Sequence, residues 1–320
     1  MPEAVVVTVL GPIQPEQLGV TDAHDHLFLR TPALPGQEFD DVDGAIDEVG
    51  GAKHGGLQAI IEVTPIGCGR RPEGMRAVAE ATGAHVVAAT GYHRDAHYPP
   101  GHWVREATVE VLAQRILTDL REGMHPNDWL TDAPLDPARA GVIKAGASYQ
   151  RISPLEERRL VAAAMGHRET GAAILVHTEI GTCANAIVDL LTREGVRAER
   201  IILAHLDRNP DFELHAEVAG RGVVLEYDTP GRIKYRPDSQ LIDLIEEMAA
   251  AGHIDRLLLG LDLGMRDYFR AFGGGPGLAY LMETFVPRLR NRIGEEAARK
   301  ILVDNAATAF ALSGGTASPR

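Results

Sequence analysis

Eight short apolar segments rich in β-branched residues recur along the chain and alternate with longer stretches of helical periodicity. The predicted strands are VTDAHDHLFL (20–29), LQAIIEVTP (57–65), HVVAATGYH (85–93), AGVIKAGAS (140–148), AAILVHTE (172–179), IILAHLD (201–207), GVVLEYDT (222–229) and RLLLGLDL (256–263). Continuous apolar runs, rather than alternating ones, are typical of parallel strands buried on both faces. Eight strand and helix units in 320 residues therefore predict an α/β fold, a closed (β/α)8 TIM barrel in a single domain.

Six of the intervening segments place apolar residues three and four positions apart and end in glycine, which predicts amphipathic helices. They span residues 72–83, 104–123, 154–171, 183–195, 211–222 and 237–252. A doubly wound open sheet is the alternative, but no GxGxxG turn follows the first barrel strand. We divide the chain into an N-terminal strand or hairpin (1–19), the barrel (20–312) and a disordered tail (313–320).

Composition and charge restrict the class of ligand. The chain has 32 Lys and Arg against 45 Asp and Glu, a net charge of −13, which disfavours nucleic acid or an anionic membrane as partner. The opening MPEAVVVTVLGPI lacks the features of a secretory signal, and no run of about 18 apolar residues occurs. We therefore expect a cytoplasmic protein with a small-molecule substrate. Cys68 and Cys183 are too few for a disulfide framework.

Polar residues end several of the predicted strands, where barrel enzymes place their active sites. His24 and His26 are two residues apart, so a strand directs both imidazoles to one face. Each of four further strands ends an apolar run in a polar residue; these are Lys144, His177, His205 and Asp262. So many polar groups are costly to bury unless a metal satisfies them, whereas the first histidine pair alone could be an ordinary buried pair.

Lys144 requires a separate explanation, because an ammonium among metal-binding imidazoles would repel a divalent cation. Burial favours the neutral amine. A neutral amine can add carbon dioxide to form a carbamate, a two-oxygen anion that can bridge two metals. An ordinary lysine in a salt bridge near the barrel mouth is the alternative.

The order His24-x-His26, Lys144, His177, His205, Asp262 resembles the phosphotriesterase family of the amidohydrolase superfamily over nearly the whole chain. Segments similar to family segments are GCGRR, AATGYHRDAHYP, SPLEERRLVAAAMGHRETGAAILVHT and GGGPGLAYLMETFVPRLR. The chain looks most like the phosphotriesterase-homology and phosphorylated-sugar-lactonase branch. It departs from the usual pattern at Asp25, where the family has glutamate, and some members of the branch have glutamate in place of Lys144.

The resemblance implies a catalytic centre with two divalent metals, usually zinc, although manganese, cobalt or iron occupy such sites. By position, His24, His26 and Asp262 would hold the more buried metal, and His177 and His205 the more exposed one. Carboxylated Lys144 and a hydroxide would bridge the two. Asp262 would accept the proton of the nucleophile. Two further expectations concern neighbouring carboxylates. Asp25 points away from the metals, and Asp207 and Asp228 orient other groups or relay protons, with an ordinary hydrogen bond at the barrel rim as the alternative.

The loops after predicted strands seven and eight are basic in an otherwise acidic chain, and barrels often bind phosphate there. They carry Arg232, Lys234, Arg236, Arg266, Tyr268 and Arg270. Lys234 and Tyr268 match positions that resemble the phosphate site of the phosphorylated-sugar lactonases, whereas Met265 stands where that pattern prefers a basic residue. The candidate substrate-binding residues are Tyr92, His93, Tyr227, Arg232, Lys234, Arg266 and Tyr268; His97 is interpreted as a loop residue.

We therefore expect a binuclear-metal hydrolase, a lactonase for a small anionic lactone of phosphorylated or carboxylated sugar type. A phosphotriesterase or amide hydrolase with the same metal chemistry is the alternative. A barrel that binds a ligand without turnover is a second alternative. The resemblance also suggests a homodimer, although no interface can be identified in the sequence.

Overall fold

The computed structural model describes residues 4–312 and contains the predicted (β/α)8 barrel. Eight parallel strands lie side by side in chain order. They are β3 (Thr21–Asp25), β4 (Ala59–Glu62), β5 (His85–Gly91), β6 (Ala140–Ala147), β7 (Ile174–Thr178), β8 (Ile201–Ala204), β9 (Val224–Tyr227) and β10 (Leu257–Leu259). As the continuous apolar runs predict, nearly every residue of these strands is buried.

The first and last strands meet at a seam that closes the barrel. Just beyond β10, the backbone N–H of Asp262 donates to the carbonyl of His24 at 2.8 Å. Gly260 permits this close approach, because a Cβ there would lie 2.7 Å from the backbone nitrogen of His24. The seam therefore places two predicted metal ligands next to each other.

Helices surround the barrel on the outside. They are α1 (Val42–His54), α2 (Pro72–Thr82), α3 (Trp103–Glu106), α4 (Val109–Arg121), α5 (Pro154–Thr170), α6 (Ala184–Arg193), α7 (Phe212–Gly220), α8 (Asp238–Ala250), α9 (Val286–Ile293), α10 (Glu295–Arg299) and α11 (Asn305–Phe310). All six predicted helical segments form helices. The segment 104–123 is divided, because the Thr108 side chain caps a new helix by accepting from the N–H of Val111.

An N-terminal hairpin closes the end of the barrel opposite the predicted site. Its strands β1 (Val6–Thr8) and β2 (Gly11–Ile13) are antiparallel, and the N–H of Val9 donates to Val86, near the start of β5. Val6 and Phe310 join the apolar cluster that fills the barrel interior. The carboxyl ends of the strands therefore form the accessible mouth.

The predicted tail, residues 313–320, lies outside the described residues. Within residues 4–312, no helix is both long enough and apolar enough to cross a membrane.

Candidate metal centre

A cavity of about 180 Å³ opens at the carboxyl ends of the barrel strands. Its wall includes all six residues predicted as metal ligands: His24, His26, Lys144, His177, His205 and Asp262. Five of them lie at or just beyond the ends of β3, β7, β8 and β10, whereas Lys144 lies inside β6, and each is less than a tenth exposed. The strand-end argument therefore predicted correctly which side chains the fold brings together.

Outer hydrogen bonds fix the two imidazoles of the first strand. His24 Nδ1 lies 2.7 Å from a carboxylate oxygen of Glu226, on β9. His26 Nδ1 lies 2.7 Å from Thr64 Oγ1, and that hydroxyl also contacts Glu62. Metal-ligating histidines typically use one nitrogen in this way and present the other to the metal. For both histidines the nitrogen that remains for a metal is Nε2.

His177 and His205 are held by the same kind of partner. His205 Nδ1 lies 2.8 Å from Asp228 Oδ2, and the backbone N–H of His205 donates to the same oxygen. His177 Nε2 lies 2.8 Å from Glu179 Oε2, which leaves its Nδ1 free. Each of the four imidazoles therefore has a ring oriented by an oxygen partner on one nitrogen, as a metal site requires, and in His24 the other nitrogen contacts the Lys144 amine.

The Nε2 atoms of His24 and His26 lie near Asp262, and that of His24 also lies near Lys144. Asp262 Oδ1 lies 3.7 Å from His24 Nε2 and 3.5 Å from His26 Nε2. Ligand atoms of His24, His205 and Asp262 all lie within 4.8 Å of one another, a spacing that could hold a metal ion. Without a cation, several lone pairs would face each other in a buried space, which is costly. The donor set therefore fits a divalent metal.

The protonation states also favour metal binding. Burial lowers the pKa of Lys144 to about 8, despite nearby carboxylates that raise it. Its Nζ lies 3.1 Å from His24 Nε2. Burial likewise lowers the pKa of His24, His26, His177 and His205, so the imidazoles are neutral at ordinary pH. Neutral imidazoles are the form that ligates metals, and a neutral amine is the form that can become a carbamate.

Two site residues adopt an unusual backbone conformation. His205 has φ of +67° and Asp262 has φ of +51°, in the left-handed region that non-glycine residues rarely occupy. Such conformations cost about 1–3 kcal/mol and occur mainly at functional sites. The hydrogen bonds of His205 to Asp228 and of Asp262 to the β3 seam hold both residues in place.

Two arginines contact the second carboxylate oxygen of Asp262. Arg232 Nη1 lies 2.7 Å from Asp262 Oδ2, and Arg208 contacts the same oxygen. Burial alone would raise the pKa of Asp262, but Arg232 and Arg208 hold it well below its usual range. Asp262 is therefore an anion, with one oxygen facing the histidines and the other facing the two cations.

Neighbouring carboxylates orient this arrangement. Asp207 Oδ2 accepts from the backbone N–H groups of Asp228 and Thr229, which fixes the residue that holds His205. Asp25 accepts from the N–H groups of His26 and Leu263 at the seam, and it does not line the cavity. Asp25 therefore supports the backbone, and the aspartate between the two histidines is accommodated without altering the cavity.

The predicted substrate-binding residues divide into those that line the cavity and those that do not. His93, Arg232 and Lys234 line it. Arg266 and Tyr268 lie outside its wall: Arg266 is exposed and stacks on Phe272, while Tyr268 lies beneath the Arg232 guanidinium, 4.9 Å from ring to cation.

Tyr92 and Tyr227 also lie outside the cavity, and here the structure corrects the sequence prediction. The Tyr92 hydroxyl donates to the carbonyl of Leu112 on α4, and the Tyr227 hydroxyl contacts His215 Nδ1 on α7. Consecutive strand residues face opposite sides of a sheet. Because Glu226 faces the interior, Tyr227 must face the helices.

Several cavity residues escaped the sequence analysis. They are Arg94, His97, Glu179, Arg208 and Tyr235. His97, interpreted as a loop residue, lies on a short turn that folds back over the cavity. The segments HLDR and HTE continue directly from two predicted ligands, and this adjacency was the available signal for Arg208 and Glu179.

Comparison with known proteins agrees with this geometry. The model of the Phosphotriesterase family matches residues 4–310. The chain belongs to this family. It is 34% identical over 317 residues to a phospho-furanose lactonase of Mycoplasmopsis synoviae (strain 53), covering 93% of this chain and 89% of the relative. Family membership and relatives with such names identify the chain as a hydrolase.

Two solved structures show the same fold. An amidohydrolase from Mycoplasma synoviae superimposes with a TM-score of 0.93 at 32% identity, covering 98% of this chain and 93% of that chain. The phosphotriesterase homology protein from Escherichia coli, complexed with phosphate in its active site, gives a TM-score of 0.83 at 29% identity, covering 92% and 99%.

Proposed function

We propose that the protein is a metal-dependent lactonase that hydrolyses a small anionic lactone of phosphorylated or carboxylated sugar type. The observation that carries the proposal is a single cavity. It combines the His, Lys and Asp cluster with a cationic wall formed by Arg208, Arg232 and Lys234. The phospho-furanose lactonase relative and the phosphate in the Escherichia coli homologue support the same chemistry.

Two divalent metals are proposed, with His24, His26 and Asp262 holding one, and His177 and His205 holding the other. Lys144, as a carbamate, would supply further oxygen ligands to this pair. Zinc is the proposed metal because imidazole and carboxylate ligands suit it. Such metals supply an activated water and polarise the scissile carbonyl.

The side chains of the protein would perform the remaining steps. Asp262 is an anion next to the imidazole cluster, so it is placed to take a proton from the attacking water and to return it to the leaving oxygen. Arg232 and Arg208 would keep this carboxylate oriented through its second oxygen. Asp228 would keep the His205 ring in a fixed orientation during the reaction, through its contact with Nδ1.

The anionic part of the substrate would bind the cationic wall. This wall is formed by Arg208, Arg232 and Lys234, with Tyr235 between them: the Lys234 ammonium lies 5.0 Å from its ring and the Arg208 guanidinium 4.9 Å. Guanidinium and ammonium groups bind phosphate or carboxylate strongly when they are partly shielded from water. Arg208 and Arg232 already contact Asp262, whereas Lys234 does not, so a neutral aromatic triester would leave the Lys234 ammonium without an anion.

A substrate panel tests the proposal. It contains γ- and δ-lactones with and without a phosphate, together with paraoxon and an N-acyl amide. We expect the highest kcat/KM for a phosphorylated γ-lactone, and elemental analysis should find about two transition metals per chain. A higher kcat/KM for paraoxon or the amide would contradict the lactonase proposal. A protein that binds the phosphorylated lactone but hydrolyses no compound would instead be a binding protein.

The cytoplasmic location and the homodimer are proposed on the sequence alone. Size-exclusion chromatography with light scattering tests the homodimer.

A further inference from the structure

A row of imidazoles continues from the proposed metal centre along one wall of the cavity. The ring of His93 lies 4.6 Å from that of His177, between centroids. His97 stacks on His93 with centroids 3.6 Å apart and planes inclined by 19°. Both rings are buried and line the cavity. Neither is among the proposed metal ligands, so their arrangement requires its own explanation.

The backbone holds His93 at a fixed place over the end of β6. The N–H of Tyr92 donates to the carbonyl of Lys144 at 2.9 Å. A Cβ on Gly91 would lie 2.1 Å from that carbonyl oxygen, and a Cβ on Gly146 would lie 2.9 Å from the nitrogen of Arg94. Only glycine at these two positions lets the chain cross so closely, so His93 is set by main-chain packing.

One hydrogen bond assigns the proton of His93. The backbone N–H of Arg94 donates to His93 Nδ1 at 2.8 Å. A backbone amide can only donate, so Nδ1 must accept and carries no proton. The ring is then neutral with its proton on Nε2, because a charged imidazole would have a proton on both nitrogens. His93 therefore presents an N–H donor that its own backbone does not use.

His97 holds the His93 ring in position from its other face. His97 Nδ1 lies 3.0 Å from the hydroxyl oxygen of Thr31. That oxygen also accepts from the backbone N–H of Ala33 at 3.3 Å, and Thr31 is 2% exposed. With one edge held by Thr31, the His97 ring cannot turn freely, and the stacked His93 ring is restrained with it.

The position of this pair relative to the cationic wall determines what it can contact. His93 follows β5, and Arg232 and Lys234 follow β9. These strands are four apart in a ring of eight, so the two walls lie on opposite sides of the cavity. A substrate held by its anion at the cationic wall would span the metal centre and place its other end at His93.

We propose that His93 donates a hydrogen bond from Nε2 to a hydroxyl oxygen of the substrate, and that His97, anchored by Thr31, is the residue that positions it. The inference rests on the proposed lactonase function and deepens it, because it requires a lactone with a ring hydroxyl far from its anionic group. His93 is then a specificity residue, and His97 acts only through it.

Kinetics with matched probes test the inference. The probes are a pentono-1,4-lactone 5-phosphate and its 2-deoxy and 3-deoxy counterparts. In Thr31→Val we expect KM for the hydroxylated probe to rise about five- to tenfold with kcat within about twofold, and KM for one deoxy probe to stay constant. Thr31→Ser should restore the wild-type KM because it restores the hydroxyl. Metal content should be the same in all three proteins.

A second variant covers the case in which Thr31→Val does not fold. His97→Phe keeps an aromatic ring against His93 but loses the contact with Thr31, so it should reproduce the same selective rise in KM. Equal losses on all three probes, or no recovery in Thr31→Ser, would show that the pair is only structural and would overturn the inference.

A spectroscopic measurement separates this inference from the proposed function. In ¹⁵N-histidine-labelled protein, the His93 signals are those missing in His93→Phe. We expect an Nε2–H tautomer in both proteins, because Arg94 still donates to Nδ1, and broader His93 ring signals in Thr31→Val because the ring is less restrained. This result is readable even if no lactone is hydrolysed, which would contradict the proposed function alone. A proton on His93 Nδ1 in the wild type would overturn the inference itself.

Discussion

At the scale of single residues, the site depends on carboxylate and hydroxyl groups that hydrogen-bond the histidine rings and fix their orientation. Glu226, Thr64, Asp228 and Glu179 each occupy one nitrogen of an imidazole, so the other nitrogen has a defined direction. Lys144 differs from these residues, because within the described residues its amine contacts only His24 Nε2, at 3.1 Å. This isolation fits a side chain that functions after chemical modification.

Replacement of Lys144 tests that interpretation. Lys144→Ala should lose most of its metal and its activity, because the proposed bridge between the two metals is removed. Added short-chain carboxylates should restore part of both, since they supply two oxygens in the vacated space. Elemental analysis and lactone hydrolysis measure the outcome, with Lys234→Ala as a control that should retain its metal. Full metal content in Lys144→Ala would contradict the bridging role.

The pH at which metal-free protein is reassembled should reveal the Lys144 amine. Its pKa is about 8, so below that pH most chains carry an ammonium, which cannot form a carbamate. At constant dissolved carbon dioxide, the rate of reactivation by zinc should rise about tenfold per pH unit up to about pH 8 and then level off. Reactivation of Lys144→Ala by a carboxylate should lack this inflection. A flat profile in the wild type would exclude carbamate formation as the limiting step.

The cationic wall can be tested at Lys234, which lines the cavity but makes no ion pair with Asp262. Lys234→Met should lower kcat/KM for a phosphorylated lactone by about one to two decades, because a charge-assisted hydrogen bond contributes about 1.5–3 kcal/mol. The unphosphorylated lactone should change little. Arg266→Met is the matched control, since Arg266 stacks on Phe272 outside the cavity. Equal losses on both lactones in Lys234→Met would show a structural role.

At the scale of elements, two close crossings determine where the functional side chains lie. β10 approaches β3 at Gly260, and the chain after β5 crosses the end of β6 at Gly91 and Gly146. Each crossing brings a predicted ligand into the cavity, namely Asp262 at the first and Lys144 at the second. Glycine is required at these points because the neighbouring atoms are backbone, which cannot move aside as a flexible side chain can.

Substitution at the second crossing should therefore be severe. Gly91 has φ of +88°, and an added Cβ would meet Lys144 O at 2.1 Å. In Gly91→Ala, conformational strain should lower the free energy of unfolding by roughly 1–3 kcal/mol, and the clash with the Lys144 carbonyl should lower it further. Gly101→Ala is the control, with φ of +81° but no atom within 4 Å of its Cβ, so it should show the strain alone. Urea denaturation of both variants measures the difference, and equal midpoints would contradict the argument.

The sequence predicted elements well where periodicity was strong. All eight barrel strands were found, because buried parallel strands are nearly continuous apolar runs. α1 was not among the predicted helices: Val42–His54 contains Gly44, Gly50 and Gly51, which weaken its helical pattern. The division between α3 and α4 depends on a cap at Thr108, which a long periodic segment concealed.

The sequence predicted the cavity residues that lie on the barrel strands, but not those that lie on the turns after them. Side chains at strand ends have directions fixed by the barrel, so the sequence predicted that all six proposed ligands line one cavity. His97 and Arg208 lie on turns whose direction depends on tertiary contacts, such as Thr31 for His97. The prediction that Tyr92 binds substrate was wrong for a related reason. Adjacent residues at a strand end face opposite sides, and the sequence did not show which of them faces inward.

At the scale of the whole molecule, the proposed metals would connect distant parts of the chain. The six proposed ligands extend from residue 24 to residue 262 and come from five of the eight barrel strands. Their mutual approach requires the closed barrel, and the seam between β3 and β10 contributes His24, His26 and Asp262. Metal binding should therefore stabilise the closed barrel as a unit rather than one loop.

Removal of the metals should consequently lower the thermal stability of the entire domain. Metal at about a thousand times its Kd contributes about 4 kcal/mol to the folded state, provided that the unfolded chain does not bind it. Chelation should shift a single calorimetric transition downward by several degrees, and added zinc should reverse the shift. His26→Ala serves as the control, because a chain that cannot complete the site should respond much less to chelator. A second, separate transition, or the same response in His26→Ala, would show that the metals stabilise only a local segment.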